Sequence, residues 1–166
     1  MDFSKLKTSD WLIGGGAIVL FIGSFLPWFK VSVSCAGVSF GGSATGNGWD
    51  VGFFWCGIPV ILGLAMLAYV AIRAFSPDTS LPDLPITWGQ ALLGAGGIAA
   101  ALILIKLIIG ESGGGTGFGC SVDVSRSFGL FLSFLAAAAM AGGAFLKFQE
   151  ERAGGTAGGS TPPTAF

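Results

Sequence analysis

The chain has 166 residues, 52% hydrophobic and 10% charged, with a mean hydropathy of +0.80 and a formal net charge of −1. Soluble domains carry roughly 25% charged residues, so an ordinary water-soluble core is excluded, and the absence of a Lys/Arg cluster excludes nucleic-acid binding. Histidine is absent, which removes the commonest general base and metal ligand together.

A bilayer core about 30 Å thick requires roughly 20 mostly apolar residues per spanning helix. Open strands cannot span it, because their backbone polar groups stay unpaired. Four segments qualify as spans: residues 11–29, 51–75, 86–109 and 128–148. The expected fold class is therefore an all-α membrane protein, a four-transmembrane-helix bundle forming one domain over residues 1–148. Trp11, Trp28, Trp55 and Trp88 lie near the segment ends, with Trp49 just outside one, as expected of interfacial anchors. Lys5, Lys7, Arg73, Lys147 and Arg152 fall on one side and Lys30, Lys106 and Arg126 on the other. That bias puts both termini in the cytoplasm of a multi-pass plasma-membrane protein. The first apolar run, about 19 residues, exceeds the 7–15 of a signal peptide, so it is expected to stay as a span.

The N-terminal lead ends at Ser9 and Asp10, either of which can cap the first helix. Gly14–Gly16 offers a smooth face for close approach, and Pro27 falls in the expected last turn, where a kink costs little. In the outer loop 30–50, Val31, Val33, Val38 and Phe40 alternate with Ser32, Ser34 and Ser39. Period-2 patterning predicts half-buried strands, and Gly41-Gly42 and Gly46-Asn47-Gly48 are turn signals. A small extracellular β-hairpin is expected to cap the bundle. Pro59 lies near the outer end of the second span. Residues 76–87, with three prolines, read as a stiff cytoplasmic connector. Small-xxx-small pairs occur at 95/99, 96/100 and 97/101 in the third span and at 138/142 and 139/143 in the fourth. They predict tight packing of these two helices or a homo-oligomer interface. The second outer loop, 110–127, is Gly-rich and then alternates Ser and Val like the first. Asp50-Val51 and Asp123-Val124 occupy matching places, which suggests two helical hairpins related by an axis along the membrane normal. Residues 149–166 lack apolar periodicity and are expected to be a disordered cytoplasmic tail.

Chemistry-bearing residues are few. Cys35 and Cys120 fall in the two outer loops, where a disulfide persists; this pair is favoured, with Cys56 a buried apolar residue. Cys35–Cys56, closing the first loop alone, is the alternative. Quinone-linked four-helix thiol oxidoreductases use a C-x-x-C pair that this chain lacks. Three scattered cysteines without histidine make no closed metal site, and no cofactor motif is present. Gly113-Gly114-Gly115 followed by Gly117 lacks the Lys-Ser/Thr ending of a phosphate loop. Lys106 is the one charge well inside the third span. It marks a functional position by default, although its stem can reach the outer headgroups, and Glu111 or Asp50 can pair with it. No Asp or Glu lies within any expected span, which argues against proton-coupled transport. Asn47, Trp49 and Asp50 combine an apolar plate with a charge and form the candidate recognition site. Their local alternative is a turn residue, an interface anchor and a helix cap.

The run SDWLIGGGAIVLFIGSFLPWF, followed by a Ser/Gly-rich loop ending GNGWDVGFF, resembles small four-span membrane proteins of actinobacteria. The match is clearest over residues 9–75, and it implies an architecture and no activity. The tetraspan plan is also similar to claudins, of which Gly52-Phe53-Phe54-Trp55-Cys56 is a partial echo. Cys35 precedes that motif and the second following cysteine is missing, so claudin function is not implied. The expected function is that of a non-enzymatic scaffold or accessory subunit of a cell-envelope complex. Its partners are the lipid bilayer and either other membrane proteins or further copies of itself, met through the small-residue helix faces. A small transporter or channel component with Lys106 near the path is the alternative.

Overall fold

A computed structural model describes residues 6–76, 86–110, 115–117 and 119–156. The elements run α1 (Thr8–Phe25), β1 (Pro27–Cys35), β2 (Val38–Asn47), α2 (Gly57–Phe75), α3 (Trp88–Ile109), β3 (Gly115–Gly117), β4 (Cys120–Arg126) and α4 (Phe128–Thr156). All four helices are long and apolar enough to cross a membrane by length and composition. Each packs on its neighbours in the ring α1-α2-α3-α4, with little contact across the diagonal between α2 and α4. The four strands form one antiparallel sheet, ordered β2-β1-β4-β3, at the end of the bundle where α1 and α3 finish and α4 starts.

Local chemistry explains most boundaries, and several differ from expectation. α1 ends at Phe25, not 29. Pro27 disfavours helical geometry for the residue before it, and Leu26 is extended, at φ −75° and ψ 157°. Residues 27–29 thus open a strand instead of closing a span. α1 also starts earlier, with Lys7 as its cap residue. Asp10 sits in the first turn and accepts from the Lys7 N–H, 3.2 Å, in place of the expected Ser9 or Asp10 cap. α2 begins at Gly57, after a series of turns, not at 51. Pro59 lies in its first turn, where a missing N–H leaves no bond unmade. At α3, Thr87 Oγ1 accepts from Gln90 N and Gln90 Oε1 from Thr87 N, which closes a capping box. α4 runs on to Thr156, so residues 149–156 of the expected disordered tail are helical. Most of the 76–87 connector and residues 157–166 of the tail lie outside the described residues.

The predicted hairpin is present as β1 and β2, but it is half of a larger sheet. β1 also pairs with β4 along its length, with Val31 opposite Val124, Val33 opposite Val122 and Ser32 opposite Asp123. The Ser/Val alternation of both loops is thereby explained: valines meet on one face while Ser32 and Asp123 are exposed. The Gly-rich run expected to be loop supplies β3, which pairs with β4 through Gly115, Thr116 and Gly117. The suggested internal repeat fails here. Under it β1 would correspond to β3, yet the central pair is β1 with β4. Asp50 lies in a turn and Asp123 in mid-strand.

The core runs the length of the bundle through Ile13, Leu20, Met66, Ile103, Leu130 and Met140, all essentially inaccessible. α1 and α4 are pressed together most closely. A β-carbon added at Gly16 would stand 2.7 Å from Met140 Cγ and 2.8 Å from the Ala136 carbonyl oxygen. One added at Gly143 would stand 2.8 Å from the Ser9 carbonyl oxygen. The α3–α4 contact predicted from small residues exists at Gly96, against Ala141. Gly97 and Gly142 instead face open space, with Ala101 and Ala138 exposed beside them.

Candidate functional site

Two polar constellations stand at opposite ends of the bundle. At the sheet end, Cys35 is bonded to Cys120, S–S 2.05 Å, joining β1 to β4 where those residues lie directly opposite each other. The bridge therefore links two chain segments 85 residues apart. Cys56 is left as a buried free thiol, and burial pushes it up to about 11, since its thiolate would lose hydration. Trp28, expected as an interfacial anchor, is instead completely buried. Its Nε1 donates to the Gly23 carbonyl, 2.9 Å, satisfying one of the last acceptors of α1. Gly48 packs against this indole, where a β-carbon would come within 2.6 Å of Cys56 Sγ and 2.8 Å of Trp28 Cε2.

The candidate recognition residues are brought together, and their polar groups are used locally. Asn47 Oδ1 accepts from the N–H groups of Trp49 and Asp50, 2.9 and 3.1 Å. Asp50 Oδ2 accepts from Asn47 N, 2.8 Å. Trp49 Nε1 donates to Ser24 Oγ, 3.2 Å, while its ring tilts against Phe25. The motif is a reciprocal Asx turn pinned to the end of α1. Asp50 stands seven residues before α2 and closes this turn instead of capping the helix.

Lys106 lies at the sheet end of α3. It is buried, with Nζ 5.6 Å from the Phe29 ring centroid and 5.7 Å from that of Trp55. The cation thus lies between β1 and the turn that precedes α2, held by two ring faces. Beside it, Arg126 donates to the Ile108 carbonyl, 3.1 Å, at the open end of α3.

The second constellation escaped the sequence reading. At the end remote from the sheet, Lys147 Nζ donates to Asp10 Oδ1 at 2.7 Å, with only 7% and 6% of the two side chains exposed. Asp10 stands just before the expected first span and falls inside α1 because that helix starts at Thr8. Lys7 pairs with Glu150 at 3.1 Å, and Ser9 Oγ donates to the same carboxylate, 3.4 Å. Both oxygens of Glu151 accept from Gly89 N, 3.0 and 2.9 Å, at the positive N-terminal end of α3. Tyr69 and Trp88 stack nearby with centroids 5.3 Å apart. A pocket of about 380 Å³ opens among Leu6, Lys7, Asp10, Arg73, Lys147, Glu150 and Glu151. All four helices contribute to this end of the bundle. The available signal was Lys147 between Leu146 and Phe148, a lone charge continuing an apolar stripe. Its partner is 137 residues away, and only the α1–α4 contact identifies it.

Among the described residues no group of three His, Cys, Asp or Glu side chains is placed to hold a metal ion. No protein-family model, curated protein or solved structure matches the chain.

Proposed function

We propose that the chain is a four-span integral membrane protein acting as a non-enzymatic scaffold or accessory subunit of a cell-envelope complex. The sheet end lies outside the cell and both termini lie in the cytoplasm. The observation that carries this reading is the disulfide-bonded, four-stranded sheet assembled from the α1–α2 and α3–α4 connections. Such a sheet is a fixed display surface. Its β1–β4 pair turns Ser32 and Asp123 to solvent, while Trp28 and Phe29 root it in the bundle. A disulfide persists in an oxidising compartment, which supports the outward placement of the sheet and agrees with the bias of basic residues toward the other end. The outward small pairs Gly97/Ala101 and Ala138/Gly142 are available for partner helices or a second copy, since small residues permit close approach in lipid.

The test is stoichiometric co-purification in mild detergent, paired with site-specific photo-crosslinking from position 123. A defined partner crosslinked in the wild type, and lost on Cys35→Ser/Cys120→Ser replacement, supports the scaffold role. Ion flux from the purified protein in liposomes, abolished by Lys106→Ala, would replace it with the channel reading. Resistance of the full chain to carbonate extraction checks the membrane placement separately.

A further inference from the structure

The pocket remote from the sheet has balanced formal charge but unbalanced hydrogen-bonding capacity. Its three carboxylates are Asp10, Glu150 and Glu151, and every one of their oxygens already accepts. Asp10 takes Lys147 Nζ and Lys7 N. Glu150 takes Ser9 Oγ and Lys7 Nζ. Glu151 takes Gly89 N with both oxygens. On the donor side the account is open. Lys7 and Lys147 are ammonium groups with three protons each, and Arg73, with five N–H donors in a planar fork, makes no ion pair or side-chain hydrogen bond among the described residues. It stands exposed in the last turn of α2 and lines the pocket. What such a pocket lacks is an acceptor-rich, negatively charged group. A cation would have to compete for carboxylate oxygens that each already accept a donor, while Arg73 and the two ammonium groups keep more unused donors than those oxygens keep lone pairs.

We propose that this pocket binds a phosphate group, with the Arg73 guanidinium as its principal contact and Lys7 and Lys147 supplying further donors. Arginine matches phosphate oxygens two at a time. The volume, about 380 Å³, lies in the range of small-ligand sites and leaves room for more than the phosphate alone. Its level in the bundle also suits a lipid headgroup: Trp11, Phe75 and Ile86 are all exposed at the same end, where apolar surface gives way to charge. Lysine and arginine donors between helices at that depth take anionic headgroups. The lipid source rests on the membrane placement proposed above; the phosphate site itself does not.

The experiment is a titration of the purified full chain in neutral detergent, reading the thermal unfolding midpoint. The probes are short-chain phosphatidylglycerol, short-chain phosphatidylcholine and inorganic phosphate, at matched ionic strength. A saturable rise is expected, with the half-saturating concentration increased at least ten-fold in Arg73→Gln, partly restored in Arg73→Lys and unchanged in Lys30→Gln on the exposed part of β1. A response to phosphatidylglycerol alone assigns the group to a lipid, and an equal response to inorganic phosphate assigns it to a free anion. Native mass spectrometry of the lipid-bound fraction reads the same site without reference to stability, should Arg73→Gln weaken the fold. No saturable rise with any probe, or identical half-saturation in Arg73→Gln, overturns the proposal. Carbonate extraction of the chain would instead remove only the lipid source.

Discussion

At the scale of single residues, the Asp10–Lys147 pair is the most consequential contact, because both groups are almost fully buried. Removing one partner strands a charge in a poorly solvated place, which costs about 3–5 kcal/mol. Asp10→Asn and Lys147→Met are each expected to lose stability on that scale in denaturant titrations in detergent. The double variant should recover part of the loss, since it strands no charge; an additive double loss would mean that the two side chains act separately. The thiols give a second prediction. With Cys35 bonded to Cys120 and Cys56 buried with its thiol pushed up to about 11, the native protein should react with no maleimide at pH 7. One thiol should appear on denaturation and three after reduction, as counted by mass spectrometry. The Cys35–Cys120 pairing was favoured by loop placement alone. Lys106 is not legible in the same way: its position in the last turn of α3 suggests a headgroup contact, and only the fold brings Phe29 and Trp55 over it.

At the scale of elements, helix contacts are set by which small residues face inward. Gly16 is closed in by Met140 and the Ala136 backbone, whereas Gly142 meets nothing within 4 Å. Gly16→Ala should therefore destabilise by about 1–3 kcal/mol through overpacking. Gly142→Ala should be neutral or stabilising by up to about 1 kcal/mol through helix propensity, unless it lies in an interface. Thermal melts of the two variants side by side check this. A normal melt of Gly142→Ala combined with a shift in oligomer mass would identify the outward small face as a contact between copies. Both glycines belonged to small-residue runs evident in the sequence. The runs marked where helices approach, and the partner of each was decided by the rotation of α1, α3 and α4 in the ring.

At the scale of the molecule, one covalent bond joins the chain's two strand-forming segments. Reducing or deleting Cys35–Cys120 should lower stability by about 2–5 kcal/mol. It should also raise hydrogen exchange in β1, β2 and β4 more than in the core turns of α1 and α4. Exchange that rises equally throughout would show the sheet and bundle to be one cooperative unit. The sheet's position follows from connectivity: β1 leaves α1 without a loop, β4 enters α4 after Ser127, and Ser127 N donates to the Trp28 carbonyl at 2.7 Å. The two strands are thus held side by side at their helix ends before the disulfide closes the far end.

The sequence by itself determined what depends on local composition and period. Four apolar runs of the right length specify four helices, and Ser/Val alternation specifies strands between the first two of them. Tertiary structure decided everything that pairs distant positions. Period-2 patterning has no address, so nothing in residues 27–35 says that their central partner is 120–126 instead of a repeat-related strand. Hydropathy counts charges one at a time, so Asp10 and Lys147 look like the edges of spans until α1 and α4 set them 2.7 Å apart. The same contact accounts for the length of α4. Residues 149–156 have no apolar stripe to bury, and they remain helical where Glu150 and Glu151 bind Lys7, Ser9 and Gly89 across the bundle.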